Sequence, residues 1–86
     1  MKVDIMPKEV IVDANPDAMY DYYVLMTRFG YYIVELDPHQ VTISRDLEDA
    51  KGFSSYQKAK DAEKKDGAYH SFDIRACGVK FIVQTL

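Results

Sequence analysis

Cysteine is nearly missing from this chain. Cys77 is the one example in 86 residues. A lone cysteine excludes an internal disulfide framework and points to a reducing, cytoplasmic setting. Tryptophan is absent, and there are four glycines and three prolines. No glycine-rich loop of the kind that cradles phosphates can be traced among them. Long apolar runs are lacking too. The longest, residues 22–26, is far short of the roughly 20 residues a membrane-crossing helix needs, so no membrane association is expected. No apolar run follows Lys2, and no signal peptide is expected. The two histidines, His39 and His70, stand alone. A metal site takes three or four ligands at usable spacing, so neither a metal nor another cofactor is expected.

A basic stripe is also missing. The net charge is −3, and residues 1–43 carry three basic against seven acidic side chains (−4), whereas residues 44–86 carry eight against seven (+1). Binding to phosphates generally needs clustered Lys and Arg that displace counterions, so the charge argues against nucleic acid as a partner. The lysines at 58, 60, 64 and 65 are interleaved with Asp61, Glu63 and Asp66 and read as a solvated helical face.

What is present suits one small domain, residues 1–86, with room for a single modest core. "KEVIVD" (8–13) alternates as a strand does. "SSYQKAKDAEKKDG" (54–67) reads as a helix over about 54–66, with Ser54 and Gln57 as a capping box and Gly67 beyond its end. Its inward side is Tyr56, Ala59 and Ala62, led by Phe53. Between these lie a turn at "DPHQ" (37–40), a strand at "VTIS" (41–44), and a single helical turn opened by Asp46. The tail (69–85) reads as a hairpin turning at Cys77-Gly78. The expected fold is α+β: an antiparallel sheet of four to five strands with one α-helix packed on one face.

The most informative stretch is "YYVLMTRFGYYIVEL" (22–36). A helix opened by Asn15 and Pro16 and closed by Gly30 fits part of it. A hairpin fits better. With Arg28-Phe29-Gly30 as the loop and Gly30 left-handed, Met26 pairs with Tyr32 and Leu25 with Ile33. One face is then Tyr22, Val24, Met26, Tyr32, Val34 and Leu36. The other is Tyr23, Leu25, Thr27, Tyr31, Ile33 and Glu35.

This stretch, followed by "ISRDLEDAKGFSSYQKAKDAEKKDGA", resembles a strand–strand–(DLxxAKxFxS)–helix pattern in small, mostly uncharacterised accessory proteins of phages and other mobile elements. The match covers roughly residues 22–68. It implies a β-β-α core and a protein that acts on host machinery, and it brings no catalytic residue with it.

Function is therefore expected from a surface. A catalytic pairing of Cys77 with His70 lacks an orienting third group, so the chain is read as non-enzymatic. One helix cannot cover both faces of the hairpin. The face of Tyr23, Leu25, Tyr31, Ile33 and Glu35 is either covered by the N-terminal segment or exposed to a partner. The partner expected there is a host protein, for instance of defence or nucleic-acid-processing machinery, which the chain inhibits sterically; a second copy forming a homodimer is the other occupant. Acidic side chains of the first half would steer it to a basic surface. The alternative is a nucleic-acid-binding module that stacks bases on sheet tyrosines.

Overall fold

A computed structural model describes residues 5–13, 15 and 17–85, with residues 5–10, 12, 13 and 81–85 described through their backbone alone. Five strands form one antiparallel sheet: β1 (Ile5–Asp13), β2 (Tyr22–Met26), β3 (Tyr32–Asp37), β4 (Gln40–Ser44) and β5 (Arg75–Thr85), in the order β1-β5-β2-β3-β4. One α-helix, α1 (Tyr56–Glu63), packs on the sheet. Short 3₁₀ segments cover Leu47–Asp49 and Gly67–Phe72. The fold is α+β.

The hairpin reading of 22–36 holds at its tip. Met26 pairs with Tyr32, the Thr27 amide donates to the Tyr31 carbonyl (2.9 Å), and Gly30 takes φ +86°. Glycine reaches that conformation without a Cβ penalty, which is why the three-residue loop falls there. Asn15 caps no helix; its side-chain oxygen accepts from the Asp17 amide in a local turn.

Away from the tip the ladder departs from expectation. The strands splay, and residues 51–53 fill the gap. Tyr23 and Phe53 exchange backbone hydrogen bonds (2.9 and 2.8 Å), and the Lys51 amide donates to the Ile33 carbonyl (3.1 Å). The chain passes here from one face of the sheet to the other. Leu47 and Ala50 pack with Val24, Cys77 and Val79, whereas Phe53 and Tyr56 pack with Tyr23 and Leu25.

A bulge at Val34 adds a second change. Ile33 pairs with Ile43, but Glu35 pairs with Thr42. One extra residue reverses the alternation that follows it. Leu36 therefore joins Tyr23, Leu25 and Ile33, and Glu35 leaves their face.

The hairpin expected at Cys77-Gly78 does not exist. β5 runs straight through both residues, pairing with β2 over 75–79 and with β1 over 77–85. Gly78 is buried and serves a different purpose, because a Cβ there would overlap the ring of Tyr20. The glycine lets an aromatic ring approach the strand backbone closely. Beyond residue 79 the β1–β5 ribbon continues without β2 alongside. The radius of gyration, 14.4 Å, accordingly exceeds the roughly 12 Å of a compact chain this long.

The N-cap of α1 lies one residue later than expected. Ser55 is its N-cap and accepts from the Lys58 amide (3.2 Å), while the Ser54 hydroxyl meets the Lys58 ammonium. The helix ends at Glu63, short of Gly67. Its inward face matches the sequence reading: Ala59 is fully buried, with Tyr56, Ala62 and Phe53 around it. Two alanines let the helix axis lie close to the sheet.

Candidate interaction surface

The residues expected to bind a partner divide into three environments. Tyr23, Leu25 and Ile33 are buried beneath α1, packed with Ala59, Ile74 and Ala76. They form the core and offer nothing to a partner in the folded chain. Their cover is the helix, not the N-terminal segment. Tyr31 is half-buried and Glu35 is exposed, on opposite sides of the bulge. The five residues make no common surface. The expectation failed because alternation tells which residues share a face and is silent on which face receives the helix.

A different surface is built at the hairpin tip. Thr27 is buried, and its hydroxyl accepts from the amides of Phe29 (3.2 Å) and Tyr31 (3.3 Å). The Gly30 amide donates to the Thr27 carbonyl (3.1 Å), and the Arg28 amide donates to the Phe72 carbonyl (2.9 Å). The loop is thus fastened to itself and to the 3₁₀ segment Gly67–Phe72. On this support Phe29 stands 59% exposed. Its ring meets Phe72 edge-on at 6.2 Å, and Phe72 meets Tyr69 at 5.5 Å. The Arg28 guanidinium lies 4.7 Å over the Phe29 ring, within cation–π range.

Strand register brings the other two arginines to the same end. Arg75, Met26, Tyr32 and Ser44 form one row across β5, β2, β3 and β4. Arg45 follows Ser44 and stacks 5.7 Å over Tyr31, donating to its hydroxyl at 3.4 Å. That hydrogen bond, with the charge interaction beside it, raises the Arg45 pKa above its ordinary value. Arg75 pairs with Asp73. Arg28 and Arg75, with Met26, Thr27, Gly30 and Cys77, line a cavity of about 280 Å³ beside the tip. Counting charges along the chain hides this gathering, because the three arginines come from three separate segments.

A second cleft, of about 270 Å³, lies between α1 and the start of β5. There Glu63 accepts from the Ala76 amide (3.0 Å) and pairs with Lys60 (3.1 Å). This is a brace: β1 ends opposite Cys77, and Glu63 takes up the next backbone donor.

The remaining chemistry is sparse. Cys77 is buried among Val24 and Val79, its sulfur 3.9 Å from the Arg75 carbonyl. His70 is exposed, with Nδ1 3.3 Å from the Gly67 carbonyl. The backbone of His39, also exposed, belongs to the turn that Asp37 holds by accepting from the amides of His39 and Gln40. Among the described residues no three His, Cys, Asp or Glu side chains group as a metal site would require, and no helix is long and apolar enough to cross a membrane. No family model, no curated protein and no solved structure matches the chain.

Proposed function

We propose that this chain is a small non-enzymatic protein-interaction module that docks its hairpin tip on an acidic surface of a partner protein and modulates that partner by occlusion. The observation that carries the reading is the gathering of Arg28, Arg45 and Arg75 with Phe29, Tyr31 and Phe72 at one end of the sheet. Arginine and aromatic residues dominate the energetics of interfaces. Phe29 is exposed yet already fixed by Thr27 and Phe72, so little conformational freedom is left to lose on binding. The cations favour an acidic partner over the basic one that the chain's first half alone suggests. The partner is a host protein, and the chain acts as a phage or mobile-element accessory protein; that part rests on the resemblance of residues 22–68.

Affinity capture from bacterial lysate, followed by mass spectrometry, tests this. Wild type is compared with an Arg28→Ser/Phe29→Ser variant whose fold is verified by circular dichroism. A protein held by wild type and released by the folded variant supports the tip as the docking site. Equal capture by both overturns it. The same arginine–aromatic pairs favour a second reading, stacking on single-stranded nucleic acid. Tip-dependent binding of a labelled oligonucleotide, with no captured protein, would hand the surface to that reading.

A further inference from the structure

The sheet has two edges, β1 and β4, and they differ in chemistry. An edge strand exposes backbone donors and acceptors that template further pairing, and proteins commonly guard it with proline or charge. β1, "IMPKEVIVD", contains Pro7, Lys8, Glu9 and Asp13. β4, "QVTIS", contains neither a proline nor a charged residue, and three of its five residues are β-branched. The Val34 bulge interrupts β3 and leaves β4 itself regular. Ile43, at 40% exposure, is one of the few large apolar side chains left in the open among the described residues.

We propose that β4 pairs antiparallel with β4 of a second copy, about a two-fold axis through Thr42, to give a continuous sheet of ten strands, five from each copy. The strand is complementary to itself in this register. Val41 lies opposite Ile43 of the second copy, and Ile43 opposite its Val41. These residues belong to the α1 side, where Val41 already packs against the core and Ile43 pairs with buried Ile33. The dimer thus extends the core with four β-branched side chains in cross-strand pairs, an arrangement that stabilises a ladder. On the other side Gln40 meets Ser44, and Thr42 meets Thr42, so the wet face stays polar. No charged side chain opposes another within the ladder. Just outside it, Arg45 comes opposite His39 and diagonal to Asp37 of the second copy.

A five-residue edge is smaller than the roughly 1,000 Å² of a stable interface. The dimer is accordingly weak and forms only as concentration rises. A two-fold axis through Thr42 leaves the two Arg28-Phe29-Gly30 loops free at opposite ends, and of the tip residues only Arg45 borders the seam.

Sedimentation equilibrium over a concentration series tests the proposal with wild type, Thr42→Lys and Thr42→Cys. Thr42 is exposed, so all three proteins should fold, which circular dichroism checks. Wild type should show a monomer–dimer equilibrium. Thr42→Lys sets like charges against each other on the axis and should weaken it at least about tenfold. Thr42→Cys should cross-link to itself under mild oxidation, faster than a Glu48→Cys control away from the edge; native Cys77 is buried and does not compete. A wild type monomeric at every concentration overturns the proposal. So does a dimer that Thr42→Lys leaves intact, or cross-linking no faster than the control.

Discussion

The two faces of the sheet are sealed by different means. On one, α1 lies over Tyr23, Leu25, Ile33, Ile74 and Ala76, and the helix satisfies its own backbone. On the other, Val24, Cys77 and Val79 are just as deeply buried without a helix. Their cover is the 3₁₀ turn at Leu47–Asp49 with Leu47 and Ala50, and a rim of Ile11, Tyr22, Met26 and Tyr32. Even the turn's cap is borrowed: Asp46 provides none, and the Ser44 hydroxyl accepts from the Asp46 amide while donating to Asp49. A strand pattern can therefore be apolar on both faces without implying two covering layers. Long side chains at the rim close a narrow sheet from the side.

If the helix face is the main store of stability, the largest single loss should come from Leu25→Ala, at about 3–4 kcal/mol. Val79→Ala, equally buried on the other face, should cost about 2 kcal/mol. Urea titration of both variants reads the losses; Leu25→Ala removes three carbons and Val79→Ala two, so only a larger loss per carbon at Leu25 supports the helix face as the main store. Next in size is Gly78→Ala, at about 1–3 kcal/mol. The new Cβ must displace the Tyr20 ring, whose edge-on contact with Tyr23 (5.4 Å) leads into the helix-face core. Thermal melting reads this, and pairing Gly78→Ala with Tyr20→Ala should cost less than the two losses added together. A strictly additive result would mean that the ring does not depend on the glycine.

The Tyr20–Gly78 contact also marks where the sequence stops being legible. The β-hairpin tip could be read because the register that keeps one face free of polar side chains also puts Gly30 where φ is positive, and both point to the Met26–Tyr32 pair. The inward side of α1 could be read because Tyr56, Ala59 and Ala62 recur at helical spacing. Gly78 could not, because a glycine beside cysteine looks the same whether it turns a chain or receives a ring. The Val34 bulge left no mark either, although it moved Glu35 off the face of Ile33. Choosing the face under α1 was beyond the pattern, since it depends on residues 51–53 passing between β2 and β3. The tip surface was hidden for a related reason: Arg28, Arg45 and Arg75 are far apart in sequence and meet only through three strand registers.

Glu63 offers a test of how the helix is held down. Its carboxylate accepts from the Ala76 amide where β1 has ended, so Glu63→Ala should cost about 1.5–2 kcal/mol, in the range of a hydrogen bond to a charged group. Glu63→Gln keeps an acceptor at the same reach and should recover about half of that. Full recovery would assign the brace to the backbone hydrogen bond alone, and none to the Lys60 pair.

The smallest stability effect is expected at the tip, and its smallness is the point. Phe29 is anchored edge-on to Phe72 yet mostly exposed, so Phe29→Ala should change the unfolding free energy by only about 0.5 kcal/mol. Gly30→Ala in the same loop should cost more, about 1 kcal/mol, because nothing crowds the new Cβ and the whole penalty comes from φ +86°. Such a result would fit the docking role proposed for the tip, in which Phe29 serves contact rather than the core. Were Phe29→Ala to cost as much as Val79→Ala, the tip would be part of the covered interior, and the contrast between a sealed sheet and an open end would fail.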